Sequence, residues 1–246
     1  MKTYNRNAEA FDQVLGHCNT KGDSYNPTDP AMNSIALQAL LEESQKSIQA
    51  VHNAQSDLAD AINHRHRAFD PLPQLGRRIL GALRACEAPP DTIYDVDRIR
   101  KKFRHQRPKK TTRNSSLGAQ VEQPGSDVEV PSTTTSRGPV SQTDFKSKIS
   151  NFMQILRLLK CEPGYAPVEE LSIESLTAVL RELLRSNKAV KTAELDLYNA
   201  RQLCEQNIFG KHGIVEMGDR VKNFFGSKFG FNSETYRAVG KIKFVK

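Results

Sequence analysis

The sequence has no tryptophan, four cysteines in 246 residues, and no long apolar run. The cysteines are dispersed without a Cys-x-x-Cys pair, so their spacing suggests neither a zinc finger nor a disulfide framework. No window reaches the roughly 18 apolar residues of a membrane span, and the N-terminal residues lack the apolar core of a signal peptide. We therefore predict reduced thiols, most of them packed, in a cytoplasmic chain without a transmembrane segment.

Catalytic and nucleotide-binding motifs are also missing from the sequence. It contains no Gly-x-Ser-x-Gly, no His-Glu-x-x-His, no Walker loop, and no Gly-x-Gly-x-x-Gly after a strand pattern. With 37% apolar residues, the composition fits long helices better than a compact enzyme. We predict a non-enzymatic protein with no catalytic residue, no cofactor and no metal site.

One short stretch, AINHRHRAFDPLP at residues 61–73, raises the question of a metal or proton-transfer site. His64 and His66 are two residues apart and point about 200° apart around a helix, whereas chelation of one ion needs a spacing of three or four. The nearby acids Asp57 and Asp60 have helical spacing, and we expect them to face solvent. We interpret the histidines as structural or surface residues at a helix end, with a metal or acid–base role as the alternative.

Basic charge is concentrated in residues 98–113, which we call the basic segment. The chain has a net charge of +8, and this segment holds nine basic residues and no acid. Three alternatives remain for it: contact with the phosphates of nucleic acid, contact with an anionic membrane surface or acidic protein, and no specific role. The candidate nucleic-acid-binding residues are Arg98, Arg100, Lys101, Lys102, Arg104, Arg107, Lys109, Lys110 and Arg113.

Residues 106–143 are rich in Ser, Thr, Pro, Gly and Gln and contain almost no large apolar residue. Such a composition cannot bury enough surface to offset the entropy of ordering, so we predict a disordered linker. The linker separates two predicted helical domains, residues 1–105 and 144–246.

The two predicted domains resemble each other in sequence, which indicates an internal repeat. The same features follow in the same order, so that Phe11, Tyr25 and Pro27 fall on Phe152, Tyr165 and Pro167. We predict a tandem duplication, in which each unit has a long helix with shorter helices before and after it. Pro and Gly signals predict that the long helices end after Phe69 and near Phe209, and the first should begin at an N-cap, Thr28 or Asp29.

Each long helix carries a 3.5-residue apolar repeat over nearly five heptads, which is typical of coiled coils. We call these positions the two heptad series: Leu37, Leu41, Ser44, Ile48, Val51, Gln55, Leu58, Ile62, Arg65 and Phe69, and Leu176, Leu180, Leu183, Asn187, Val190, Glu194, Leu197, Arg201, Cys204 and Ile208. The predicted fold is all-α, with the long helices packed around a pseudo-twofold axis. Two separate small bundles joined by a tether are the alternative.

The C-terminal stretch interleaves aromatic and basic residues from Val221 to Phe244. A stacking platform for single-stranded nucleic acid would have this composition. Aromatics at such spacings more often form the core that joins short helices to a long one, and we favour that interpretation.

Three stretches, KTYNRNAEAFD near the start, YAP at residues 165–167, and FGFNSETYRAVGKIKF near the end, resemble the uncharacterised two-repeat helical proteins of Bacteroidota. The resemblance covers both predicted domains but not the linker. It implies a bacterial cytoplasmic setting and transfers no functional residue.

Taken together, these patterns predict a helical interaction or scaffold protein whose basic segment contacts nucleic acid or an acidic protein. The alternative is a purely structural or oligomerising coiled-coil-like module without a nucleic-acid role. The oligomeric state does not follow from the sequence.

Overall fold

The computed structural model describes residues 2–103, 144–165 and 167–245. Within these ranges the chain forms α-helices and short 3-10 helices and no strand, which confirms the all-α prediction. No helix in this part of the chain is both long enough and apolar enough to cross a membrane. The predicted linker and five candidate residues of the basic segment lie outside the described ranges, namely Arg104, Arg107, Lys109, Lys110 and Arg113.

The helices of the described residues follow one another in a simple order. They are α1 (Lys2–Lys21), α2 (Ser34–Phe69), α3 (Leu72–Ala85), α4 (Pro90–Lys101), α5 (Phe145–Lys160), α6 (Ile173–Phe209), α7 (Ile214–Phe229) and α8 (Glu234–Gly240). Short 3-10 turns at Gly22–Ser24, Pro30–Met32 and Glu169–Leu171 precede the two long helices α2 and α6.

The predicted C-terminal ends of the long helices are confirmed, and the predicted N-cap is not. α2 ends at Phe69, before Pro71, and α6 ends at Phe209, before a glycine. Asp29 accepts a hydrogen bond from the Ala31 amide at 2.9 Å and caps the 3-10 turn that follows it. Because that turn intervenes, α2 begins later, where Asn33 Oδ1 accepts from the Ala36 amide at 2.6 Å.

The chain divides into two compact units, of which unit 1 takes residues up to His64 and from Lys188, and unit 2 takes Arg65–Asn187. The units do not coincide with the predicted domains, because residues 1–105 and 144–246 each contribute to both. The physical reason is the length of the long helices. A 36-residue helix is about 54 Å long, so one small group of short helices cannot cover its apolar face from end to end. Its two ends are buried in different cores.

Unit 1 combines α1 and most of α2 with the end of α6, α7 and α8. α7 contacts both α1 and α8. The buried core includes Phe11 and Val14 of α1, Leu37 and Val51 of α2, Ile208 of α6, and Phe225 of α7.

Unit 2 combines the end of α2, α3 and α4 with α5 and the first part of α6. α4 contacts both α3 and α5. The buried core includes Phe69 of α2, Ile79 of α3, Phe103 after α4, Phe152 of α5, and Leu176 and Leu183 of α6.

The heptad series mark the core-facing side of both long helices. Every position of the first series, from Leu37 to Phe69, is buried or partly buried, and the second series departs from this only at the exposed Glu194 and Arg201. Coiled-coil packing of the two helices stays a prediction.

Candidate functional site

The described part of the basic segment lies at the C-terminal end of α4. Arg98, Arg100 and Lys101 occupy the last turn, where the negative end of the helix dipole favours cations. Lys102 follows the helix, and Phe103 is fully buried in the unit 2 core. The described part of the basic segment therefore ends at a residue that is anchored in the unit 2 core.

Two aspartates just before the segment neutralise part of its charge. Arg98 pairs with Asp95 at 3.1 Å, and Lys101 pairs with Asp97 at 2.8 Å. Arg100 forms an ion pair with Asp97 as well. Both acids precede residue 98 and so lie outside the basic segment, although their spacing of three or four residues from its cations on one helix predicts such pairs.

Within the basic segment, Arg100 differs from Arg98 and Lys101, because its side chain is only 12% exposed whereas theirs are 64% and 65% exposed. Its aliphatic stem packs against Gly76 of α3, where an added Cβ would lie 2.8 Å from Arg100 Cγ. Arg100 therefore joins α4 to α3, and little of it is available to an external partner.

The carboxyl group of Asp97 has a strongly lowered pKa. Hydrogen bonds from Lys101 and Arg100, in that order of importance, lower the pKa of Asp97 to about 2. A carboxyl whose pKa is lower in the folded state than in the unfolded state stabilises the fold when it is ionised.

We expect Asp97→Asn to lower the free energy of unfolding by about 1–2 kcal/mol near neutral pH. The contribution of the carboxylate is complete above its unfolded pKa of about 3.9, and it is lost as the pH falls through about 2. The difference between wild type and variant should therefore be constant near neutral pH and shrink between these two values in urea unfolding experiments.

Asp95→Asn is the matched control, because the Asp95–Arg98 pair joins side chains that are 43% and 64% exposed. Such a pair is worth at most about 0.5 kcal/mol in this setting. Equal losses in the two variants would contradict the assigned role of Asp97.

The histidines of the 61–73 stretch do not come together as a metal site. His64 and His66 are both exposed, and the His66 ring contacts the Phe145 ring edge-on with centroids 5.2 Å apart. Among the residues that the structure describes, no group of three or more His, Cys, Asp or Glu side chains is arranged to hold a metal ion. Asp57 and Asp60 face solvent, as predicted.

A different cluster forms in unit 2, between the end of α2 and the first turn of α5. The guanidinium carbon of Arg65 lies 4.1 Å from the ring centroid of Phe145, and Lys148 Nζ lies 5.6 Å from the same centroid. Arg65 Nη1 donates to Asn187 Oδ1 of α6 at 3.5 Å, which is the outer limit of a hydrogen bond. We call Arg65, His66, Phe145, Lys148 and Asn187 the Arg65 cluster.

The Arg65 cluster holds two cations in a place that water reaches poorly. Lys148 is 4% exposed, and its burial lowers its pKa, while the negative charge of Asp70 acts in the opposite direction. Arg65 is partly buried, and its Nε atom has no hydrogen-bond partner in the structure. The sequence placed Arg65 on a heptad series, but it did not single out Lys148. Lys148 lies four residues before the core residue Phe152 and so on the same helix face, and this spacing could have predicted its burial.

The cysteines are all unpaired, and two of them are buried. Burial raises the pKa of the Cys18 thiol to about 11, and burial also raises the pKa of Cys204. Cys86 is partly buried, and Cys161 is exposed. The exposure of Cys161 is the exception to the predicted packing of the thiols.

The C-terminal aromatics pack mainly into the unit 1 core. Phe225 is fully buried and stacks on Tyr25, and Phe224 meets the same tyrosine edge-on. Phe244 covers Gly218 and accepts a cation–π contact from Lys222 at 4.3 Å. This burial agrees with the packing interpretation rather than with an open stacking platform.

Two electropositive features therefore stand out among the described residues: the end of α4 and the Arg65 cluster. The first is partly neutralised by its own helix, and the second keeps a buried donor without a partner. No known protein family matches the chain, and no curated protein and no solved structure is significantly similar to it.

Proposed function

We propose that the chain is a non-enzymatic helical interaction protein whose basic segment contacts nucleic acid. The observation that carries the proposal is the concentration of nine basic residues, without an acid, in residues 98–113. The segment starts from a fixed point, because Phe103 is buried in the unit 2 core. Contacts between these cations and phosphates release condensed counterions, which favours binding at low salt.

The exposure of the basic residues at the end of α4 indicates which of them could contact phosphates. Arg98 and Lys101 are 64% and 65% exposed, whereas Arg100 is nearly buried. We assign the phosphate contacts to the exposed residues and leave Arg100 out. The proposed set is Arg98, Lys101, Lys102, Arg104, Arg107, Lys109, Lys110 and Arg113.

We expect the double variant Lys109→Glu/Lys110→Glu to bind single-stranded or double-stranded nucleic acid at least fivefold more weakly than the wild type. Each lost phosphate contact reduces the slope of log affinity against log salt by about 0.7–0.9, so the slope of this double variant should be smaller by about 1.4–1.8. Electrophoretic mobility shifts at several salt concentrations measure both quantities.

The variant Lys188→Glu/Lys191→Glu is the control, because it makes the same change in net charge at two exposed lysines of α6. It should retain most of the binding. If the wild type binds neither DNA nor RNA at low salt, the nucleic-acid proposal is refuted. If both double variants lose the same affinity, binding depends on net charge alone and not on the basic segment.

We also propose that the chain arose by tandem duplication, and matched contacts support this. Tyr25 donates its hydroxyl to the Met32 carbonyl at 2.7 Å, and the matched Tyr165 donates to the Leu171 carbonyl at 3.0 Å. Ser47 donates to the Ser44 carbonyl at 2.7 Å, as Ser186 does to the Leu183 carbonyl at 3.1 Å. Each long helix is preceded by a shorter helix and a 3-10 turn and is followed by two shorter helices.

The composition of the compact units extends the duplication proposal. Each unit joins the first part of one repeat to the second part of the other, since α2 and α6 are both divided between the units. This arrangement is an exchange of halves between two related repeats within one chain. The pseudo-twofold axis stays part of the proposal.

The second candidate function is a structural or oligomerising module, and exposed apolar residues of α6 favour it. Leu195 and Tyr198 are 58% and 59% exposed and lie three residues apart, so they share one helix face. Light scattering distinguishes the candidates: concentration-dependent dimers that disappear in Leu195→Asp would support the module, and a strict monomer would count against it.

A further inference from the structure

We propose that one exposed side of α6 binds a second copy of this chain, with the two α6 helices antiparallel. The proposal rests on the oligomerising function given above as the second candidate, and it names the partner and the orientation. The residues concerned are spaced alternately by three and four, so they share one side of the helix. We call them the α6 face, and all of them are exposed residues of unit 1: Lys188, Lys191, Leu195, Tyr198, Gln202 and Glu205.

The centre of the α6 face is apolar and exposed, although another side of the same helix is buried. Leu197, Cys204 and Ile208 of α6 belong to the unit 1 core. Leu195 and Tyr198, by contrast, are 58% and 59% exposed. Removal of this apolar surface from water by a second protein surface would favour association.

The fold does not require apolar residues at these positions. In the proposed repeat, Leu195 and Tyr198 of α6 correspond to Ser56 and Ala59 of α2, which are exposed as well. A long helix of the same kind therefore forms with two small side chains in these places. Packing within the chain does not account for the apolar pair of α6.

The α6 face is complementary to itself when the second copy runs in the opposite direction. With Leu195 opposite Tyr198 of the second copy, the apolar residues of both chains meet at the centre. The same register places Lys188 opposite Glu205, because both pairs of residues are centred on the same point of the helix. Each end of the contact therefore joins a basic residue to an acidic one.

Two further charges flank the α6 face and fit the same register. Glu194 and Arg201 are the two exposed positions of the second heptad series. Neither forms an ion pair with another described residue. In the antiparallel pair, Glu194 of one copy and Arg201 of the other are offset by only about 3 Å along the helix axis. Flanking charges of this kind set the orientation of paired helices.

A parallel arrangement in register would bring like charges together. Lys188, Lys191 and Glu205 would each lie against the same residue of the second copy, and like charges across an interface are repulsive. The antiparallel arrangement is therefore favoured. The α6 face is about 27 Å long, so the interface is small, and we expect dimers to form in the micromolar range.

The test measures self-association of the full-length chain by sedimentation equilibrium at several concentrations. Glu194→Arg and Arg201→Glu should each weaken dimerisation roughly tenfold or more, because each creates two pairs of like charges in the dimer. An equal mixture of the two single variants should dimerise within about threefold of the wild type, because every new side chain then faces an opposite charge. Only a contact between chains can produce this recovery.

Asp196→Arg is the matched control, because it makes the same charge change as Glu194→Arg at an exposed residue of α6 outside the face. It should dimerise as the wild type does. An equal loss in these two variants, or a mixture that dimerises no better than either single variant, would overturn the antiparallel arrangement. The second candidate function would survive such a result if Leu195→Asp still abolishes the dimers. A wild type that stays monomeric at every concentration would overturn both.

These measurements are made without nucleic acid, so their outcome is independent of the nucleic-acid proposal. Lys188→Glu/Lys191→Glu, the charge control of that proposal, alters the α6 face and should be a monomer. It should nevertheless bind nucleic acid, because the basic segment of a single chain makes the proposed phosphate contacts. Failure of the nucleic-acid proposal and failure of this one are therefore distinguishable.

Discussion

A chain cut once within residues 104–143 is expected to remain a single particle in native buffer. The cores of both compact units contain side chains from both sides of the cut. In unit 1, Leu37 and Val51 share a core with Phe225, and in unit 2, Ile79 and Phe103 share a core with Phe152. Separation of the two fragments would expose both cores to water, at roughly 25 cal/mol for each Å² of apolar surface.

The experiment places a protease recognition sequence after Asn114 in the full-length chain and compares cut and uncut protein by size-exclusion chromatography with light scattering. We expect both to elute at the position of the intact chain, and the cut protein to separate into two fragments only in denaturant. The uncut insertion variant controls for the added residues. Two separate peaks in native buffer would refute the exchange of halves and would favour independent domains at residues 1–105 and 144–246.

The second large effect is expected from Phe11 and Phe152, the matched phenylalanines of the two proposed repeats. Phe11→Ala and Phe152→Ala should each lower the free energy of unfolding by about 3–5 kcal/mol, because each removes a fully buried aromatic side chain and leaves a cavity. Phe152 also lies against Phe103, with ring centroids 6.4 Å apart, so its loss loosens the anchor of the basic segment.

Denaturant unfolding gives the size of each loss, and hydrogen exchange shows where it acts. Phe11→Ala should increase exchange first in unit 1, and Phe152→Ala first in unit 2. Phe231→Ala is the control, because Phe231 is 62% exposed and should cost much less. A loss below about 1 kcal/mol at either buried position would contradict the assigned core.

Most of the local structure follows from signals that are close together in the sequence. The ends of α2 and α6 were predictable from Pro71 and Gly210, since proline and glycine end helices through local geometry. The heptad series likewise identified the buried faces of both helices, because helical period alone decides which residues share a face. The prediction that Asp29 caps α2 was wrong, because Asp29 caps the 3-10 turn Pro30–Met32 instead. The two local structures compete for the same cap residue.

The charge distribution was predictable only in part. The basic segment is evident from composition, but its effective charge depends on Asp95 and Asp97, which pair with Arg98, Arg100 and Lys101 across helical turns. The burial of Arg100 depends on the absence of a side chain at Gly76 of α3. The sequence of residues 98–113 alone therefore predicts neither these ion pairs nor the burial of Arg100.

By itself, the sequence determined the all-α class, the C-terminal ends of the two long helices and the buried face of each, because these depend on propensity and periodicity over a few turns. Only the tertiary structure decided which segments share a core and which charges are buried together. Arg65 and Lys148 are separated by more than eighty residues, yet both lie against Phe145. Such contacts depend on the division of α2 and α6 between the compact units, which places the end of α2 in the same unit as α5. That division arises because each long helix is too long for one small core to cover.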